Sequence, residues 1–120
     1  MASHPIVHVE FASTDPQRAG RFYADLFGWQ LDHDPTFDYL MFRGDGGPGG
    51  GFVGAGTGGL AAGDALVHVG TDDLDATLRR VEELGGAVEV PKTEIPGVGW
   101  FGIVRDPADG RVAVFQAQQP

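Results

Sequence analysis

The sequence predicts an α+β protein made of two tandem βαβββ modules that form a curved mixed sheet around a central cavity. Three observations carry this. Val7-His8-Val9 and Val67-His68-Val69 are near-copies, 60 positions apart. Each precedes an acidic helix start, Thr14-Asp15-Pro16 or Asp72-Asp73-Leu74, and each helix pattern stops at glycine, Gly28 or Gly85-Gly86. Asp15 and Asp73 are 58 positions apart, so the two offsets differ by an even number and side-chain parity along the strands is preserved. His8 and His68 are therefore expected on equivalent faces, near the axis relating the copies, where a small ligand would lie.

The elements follow in order. Residues 5–13 alternate as a half-buried strand, with His8, Glu10 and Ala12 on one face and Val7, Val9 and Phe11 on the face that meets a helix. That helix begins at Asp15-Pro16, an acceptor at the cap and a proline in the first turn. Ala19, Phe22, Tyr23, Leu26 and Phe27 then form its apolar stripe, and Gly28 its left-handed stop. Strands are predicted at residues 29–33 and 37–43, with Asp34-Pro35-Thr36 as the turn between them. Residues 44–63 contain 11 glycines. Within them Gly51 to Ala55 reads as a fourth strand whose glycines permit close approach of another backbone or a ligand, and the remainder as a flexible join.

The second copy repeats the plan. Residues 65–71 are a strand, Asp73 caps a helix with Leu74, Leu78, Val81 and Leu84 inward, and residues 87–90, 99–105 and 111–116 are the remaining strands. A proline-nucleated turn, Asp106-Pro107-Ala108-Asp109-Gly110, joins the last two. The expectation is a single domain, 1–120, with module 1 at about 5–57, a glycine-rich linker at about 58–64 and module 2 at about 65–117. One helix covers only one face of each sheet, so the halves must share a concave interior or dimerise. A homodimer is expected.

Composition narrows the function. Absence of cysteine removes disulfides, thiolate metal sites and cysteine nucleophiles together. A net charge of −9, from 17 acidic and 8 basic residues, repels phosphate polymers and anionic lipid heads, so neither nucleic acid nor membrane is an expected partner. There is no cationic segment followed by an apolar run, and no apolar stretch of about 18 residues. The expectation is a cytoplasmic protein with a small-molecule partner.

Order, length and local motifs together resemble the vicinal oxygen chelate superfamily, which includes glyoxalase I, extradiol dioxygenases, and fosfomycin and bleomycin resistance proteins. The residues carrying the resemblance run from Thr14-Asp15-Pro16 through Arg21-Phe22-Tyr23 to Leu26-Phe27-Gly28-Trp29, then Asp72 to Ala76, Gly85-Gly86, and Ile95 to Gly99 leading to Arg105-Asp106-Pro107 and Gly110. The chain looks most like the short glyoxalase-like branch. Metal-dependent members place a histidine on the first strand and a carboxylate on the last strand of each half. His8, seven residues before Asp15, matches the first position; the equivalent before Asp73 is Leu66, not His68. The terminal glutamate position falls on Val114, and its first-half counterpart falls within Phe52 to Thr57, which holds no acid. Apolar Leu66 and Val114 cannot offset the desolvation of a divalent cation.

His8, Glu10 and His68 remain the only set that would hold a divalent metal, as two imidazoles and a carboxylate; His8 and Glu10 are about 6.6 Å apart along one strand face. Without metal, Glu10 and His8 are the catalytic candidates as an acid/base pair on a small substrate. The string Gly54-Ala55-Gly56-Thr57-Gly58-Gly59 satisfies a dinucleotide fingerprint, but no helix follows it, and it reads as linker. Trp29, Tyr39, Phe42, Trp100, Phe101 and Phe115 are strand aromatics that serve mainly as core. By resemblance the loop at 97–101 overhangs the cavity mouth, offering Trp100 or Phe101 to stack on a flat ligand. His4 and His33 read as exposed, and Ser13 and Thr14 as cap-region residues. The reading is a protein that binds a small organic molecule in a metal-free cavity lined by His8, Glu10, Leu66, His68, Trp100, Phe101 and Val114, with resistance-type sequestration as its role and no cofactor. The alternative is a metal-dependent lyase, isomerase or dioxygenase using His8, Glu10 and His68.

Overall fold

The computed structural model describes residues 3–119. Eight strands and two α-helices follow the predicted βαβββ order twice. The chain divides into two compact units, one of Val7–Leu66 and the other of residues 3–6 with residues 67–119. No helix among the described residues is long and apolar enough to cross a membrane.

The first module comprises β1 (Ile6–Ser13), α1 (Pro16–Phe27), β2 (Gln30–Asp34), β3 (Tyr39–Arg43) and β4 (Gly49–Gly54). Its strands run in the order β2-β3-β4-β1, with β1 and β4 parallel and the other pairs antiparallel. Asp15 caps α1 by accepting from the Arg18 amide at 3.1 Å, and Gly28 closes it at φ 74°, a left-handed conformation in which glycine carries no Cβ penalty. Leu40, Phe42 and Phe52 form the core, and Phe11, Ala19, Tyr23, Trp29 and Leu31 pack against them. Phe11 thus faces the helix, as its strand parity predicts.

The helix stripe differs from expectation. Ala19 and Tyr23 face the core and Gly20 is buried, whereas Phe22, Leu26 and Phe27 are 59, 58 and 57 % exposed. The cause is Gly20, where a Cβ would come within 2.7 Å of Leu40 Cδ2. The helix settles on its smallest residue and presents the line Pro16, Ala19, Gly20 and Tyr23 to the sheet, which rotates the larger apolar side chains outward.

The glycine-rich join is also more ordered than its composition suggests. Residues 57–59 form a 3₁₀ turn, Leu60 is buried, and backbone bonds tie Gly63 to Ala12 at 2.9 Å, Ala12 to Asp64 at 3.0 Å and Ala55 to Ser13 at 2.8 Å. Glycine supplies turns here, and the freed backbone groups pair with β1.

The second module comprises β5 (Ala65–Gly70), α2 (Leu74–Glu83), β6 (Ala87–Ile95), β7 (Gly99–Arg105) and β8 (Arg111–Ala117), in the order β5-β8-β7-β6 with β5 and β8 parallel. Asp73 accepts from the Ala76 amide at 3.0 Å and Gln116 Oε1 accepts from the Leu74 amide at 2.8 Å, so two side chains satisfy the start of α2. Leu74 is fully buried. Leu84, expected inward, caps the helix and is exposed. β6 is longer than predicted: it runs past Val90 to Ile95, accommodating Pro91 through register shifts against β7.

Candidate functional site

Strand register assembles the site in the first module. His8 pairs with Gly49 and Glu10 with Gly51 across β1 and β4, and Gly51 pairs with Met41 across β4 and β3. Paired residues share a face, and so do residues two apart on a strand. His8, Glu10, Tyr39, Met41 and Arg43 therefore project from the face opposite α1, joined from β2 by Asp32 and Gln30, the partners of Met41 and Arg43.

Tyr39 lies over Gly51, where any Cβ would collide with the phenol Cζ and Oη. There its hydroxyl donates to Glu10 Oε2 at 2.8 Å and lies 2.8 Å from His8 Nε2. A phenol has one proton, and here Glu10 receives it. His8 must then donate through Nε2, which fixes its proton on that nitrogen. The imidazole also stacks on the phenol, with centroids 6.0 Å apart and planes at 26°. His8, Tyr39 and Glu10 form one hydrogen-bonded chain along the floor of the module.

Burial, the neighbouring Glu10 charge and the hydrogen bond to Glu10, in that order, push the Tyr39 hydroxyl above the ordinary tyrosine range. Its proton is retained at any physiological pH. Above pH about 10 the unfolded chain releases this proton and the folded chain keeps it, so the contribution is complete below that pH and is lost as pH rises. Wild-type protein is expected to lose up to about 1.4 kcal/mol more per pH unit than Tyr39→Phe above pH about 10. Parallel urea unfolding curves from pH 9 to 11 measure this, and equal slopes would show that neither burial nor Glu10 holds the proton on Tyr39.

A cleft of about 510 Å³ opens on this face, lined among others by His8, Gln30, Asp32, Met41, Arg43 and Gly49. Its size lies within the range of small-molecule sites. In the second module a smaller hollow of about 250 Å³ lies between the end of α2 and β8, walled by Val81, Leu84, Val104, Pro107 and Val112. It includes none of the sequence-selected site residues.

Those residues are distributed unevenly. His8 and Glu10 share one face of β1 and meet at the Tyr39 hydroxyl. His68 belongs to the other compact unit, half-buried on β5 opposite Ala113, and Leu66 is buried two residues earlier on the same strand face. Phe101 pairs with Phe115, on the β7–β8 face that also carries Ala113. Val114 and Trp100 need correction as cavity-lining residues. Val114 pairs with Gly102, and a Cβ on Gly102 would meet Leu78 of α2, so Val114 belongs to the layer beneath the helix, where it is 4 % exposed. Trp100, two residues from Gly102, shares that face; its ring lies 5.4 Å from Lys92 Nζ, and Lys92 in turn pairs with Asp75 of α2. Counting from the turn glycine gave the right strand for Val114 and the wrong face. His33 is exposed and paired with Asp38 at 2.7 Å, and His4 lies 3.4 Å from the Thr71 hydroxyl.

The donor set implied for a divalent cation does not fit these residues. On β4 the cavity-face positions beside His8 and Glu10 are Gly49 and Gly51, and on β8 they include Ala113 and Phe115, so neither terminal strand offers a carboxylate there. His8 Nε2 and Glu10 Oε2 both already engage Tyr39. Among the described residues of either unit, no three His, Asp or Glu side chains gather as a metal-ligating group.

Tyr39 and Arg43 are the residues that sequence reasoning undervalued. The signal was present in Tyr39-Leu40-Met41-Phe42-Arg43, where Leu40 and Phe42 are core and the alternate positions must face the other way. Tyr39 read as one more packing aromatic because its partners are 29 and 31 residues distant.

Comparison with known proteins adds an independent line. A family model described as a glyoxalase-like domain matches residues 8–115. The protein named "Putative glyoxylase CFP32" of Mycobacterium bovis is 28% identical over 128 residues, covering 92% of this chain and 45% of the relative. The "Anthracycline biosynthesis protein DnrV" of Streptomyces peucetius is 29% identical over 131 residues, covering 89% and 45%. The chain thus spans under half the length of these curated relatives. Among solved structures, methylmalonyl-CoA epimerase from Mycobacterium tuberculosis superposes with a TM-score of 0.76 at 16% identity, covering 96% of this chain and 89% of that one, a likeness of fold.

Proposed function

The chain belongs to the glyoxalase-like domain family of the vicinal oxygen chelate superfamily, and from that premise we propose that it binds a small organic molecule in the first-module cleft without a metal ion. The observation that carries this reading is the Tyr39 hydroxyl, which engages both His8 Nε2 and Glu10 Oε2. A cation drawn to those atoms would have to displace the phenol and would find only glycine on the adjoining strand. Met41 and the bare Gly49 backbone give the cleft an apolar, accessible floor, and His8, Asp32 and Arg43 supply orienting polar groups. A relative named for anthracycline biosynthesis is in keeping with a small organic ligand. The role is resistance-type sequestration by a cytoplasmic homodimer, and the apolar side chains exposed on α1 favour self-association.

Proton transfer is the second reading, favoured by the unbroken His8–Tyr39–Glu10 chain. In it His8 and Glu10 act as acid and base toward a bound carbonyl compound, with Tyr39 positioning both.

The test is elemental analysis of protein purified without added metal, with melting curves in EDTA and in Ni, Zn, Mn or Fe(II), beside a panel of small aromatic and carbonyl compounds. Metal is expected to be substoichiometric and without effect on the melting temperature, while panel members raise it in wild type and less so in His8→Ala. A stoichiometric metal lost on His8→Ala and His68→Ala would establish the metal-dependent lyase, isomerase or dioxygenase instead.

A further inference from the structure

Four of the eight basic residues, Arg80, Lys92, Arg105 and Arg111, hold carboxylates in ion pairs. Arg18 and Arg21 lie on α1 and Arg79 on α2. Arg43, at the end of β3, is the one arginine or lysine lining the 510 Å³ cleft. Its Nη2 donates to Gln30 Oε1 at 3.3 Å, and Gln30 is its register partner on β2. The amide is a neutral partner: it aims the guanidinium without cancelling its charge. Asp32 shares the cleft, yet among the described residues no carboxylate lies within ion-pair distance of Arg43. A guanidinium offers five donors in a planar fork matched to paired oxygens, and one bond to Gln30 leaves most of that fork uncommitted.

We infer that the cleft takes a small organic anion, its carboxylate, sulfonate or phosphonate group held by Arg43 and its apolar body lying over Gly49 and Met41 toward His8. The inference rests on the small-molecule reading above and specifies its ligand class. On a chain of net charge −9, Arg43 is the positive side chain at this concave site, and because Asp32 lies at the same cleft its attraction is confined to oxygens within direct reach of the guanidinium fork. Arg43 then selects charge, while Met41 and the glycine floor accept varied apolar bodies.

Two fluorescent probes that differ in one group separate the possibilities: 1-anilinonaphthalene-8-sulfonate and its uncharged parent, N-phenyl-1-naphthylamine. Both are expected to bind wild type. Arg43→Gln is expected to weaken the sulfonate about tenfold and the neutral probe less than about twofold, as loss of a charge-assisted bond requires. Arg79→Gln, a charge-matched change on α2, is expected to leave both unaltered. Raising NaCl from about 50 to about 500 mM is expected to weaken only the sulfonate, and only with Arg43 in place. If both probes bind but Arg43→Gln spares the sulfonate, or weakens both alike, or is matched by Arg79→Gln, the anion inference fails and the cleft reading stands. If neither probe binds wild type, both fail.

Discussion

Gly50→Ala is expected to destabilise the fold strongly. Gly50 sits on β4 opposite Val9 of the parallel neighbour β1, on the face that meets α1. A Cβ there would fall inside contact distance of the Val9 carbonyl oxygen and 2.5 Å from the Phe42 ring. Phe42 is itself wedged against Trp29 at a centroid distance of 4.3 Å and against Phe52 at 5.2 Å, so it has nowhere to retreat. Relief requires β1 and β4 to part, and with them the pairing that holds His8 beside Gly49. The cost is about 3 kcal/mol or more, at the upper end for overpacking. Urea unfolding monitored by circular dichroism measures it, with Gly54→Ala as the control, since nothing lies within 4 Å of a Cβ at Gly54 and its change should stay within about 0.5 kcal/mol. A Gly50→Ala protein as stable as the control would mean that the β1–β4 register is wrong.

The second large effect is at Gly51, one residue on and facing the other way. Alanine there occupies the volume of the Tyr39 phenol. Unlike the Val9 carbonyl, a phenol can swing aside, so the fold is expected to survive. The loss is the two hydrogen bonds to His8 and Glu10, about 1 kcal/mol each, plus about 1 kcal/mol for the half-buried ring, in all about 3 kcal/mol. Function discriminates better than stability. With Tyr39 displaced, phenolate absorbance should rise at lower pH than in wild type, because the burial and the Glu10 charge that oppose its ionisation are both removed. The cleft should bind its ligands more weakly, because His8 at its edge is no longer held by the phenol. Tyr39→Phe separates the contributions: it keeps the ring over Gly51 and removes only the hydroxyl. Should Gly51→Ala titrate and bind as wild type does, Tyr39 does not organise the site.

These two neighbouring glycines also show what was legible in the sequence. Duplication, helix caps and strand parity were local signals, and apart from the end of β6 they placed the helices and strands to within a few residues, including Asp15, Gly28 and Asp73 at the helix ends. They failed where distant packing decides. The α1 stripe turned because Gly20 meets Leu40, 20 residues away. β6 outran its expected end because bulges against β7 accommodate a proline that reads as a stop. Within the site, His8 and Glu10 were readable as neighbours on one strand, but the hydroxyl that joins them comes from β3. Val114 went astray because inheriting a position by counting from a turn does not fix which face it occupies, and Trp100 because a loop placed by resemblance does not either, whereas the pairing of Val114 with Gly102 over Leu78 does. Glycine abundance misled most. Residues 49–51 look like spacer, yet they are the strand on which the phenol rests.

Pro91 carries a last consequence. β6 ends the strand order of its module, and its outermost stretch contains a residue with no amide hydrogen, followed by the cation of Lys92. An unfolded or foreign chain attempting to extend the sheet there would meet a missing donor at Pro91, which disfavours strand addition along that margin.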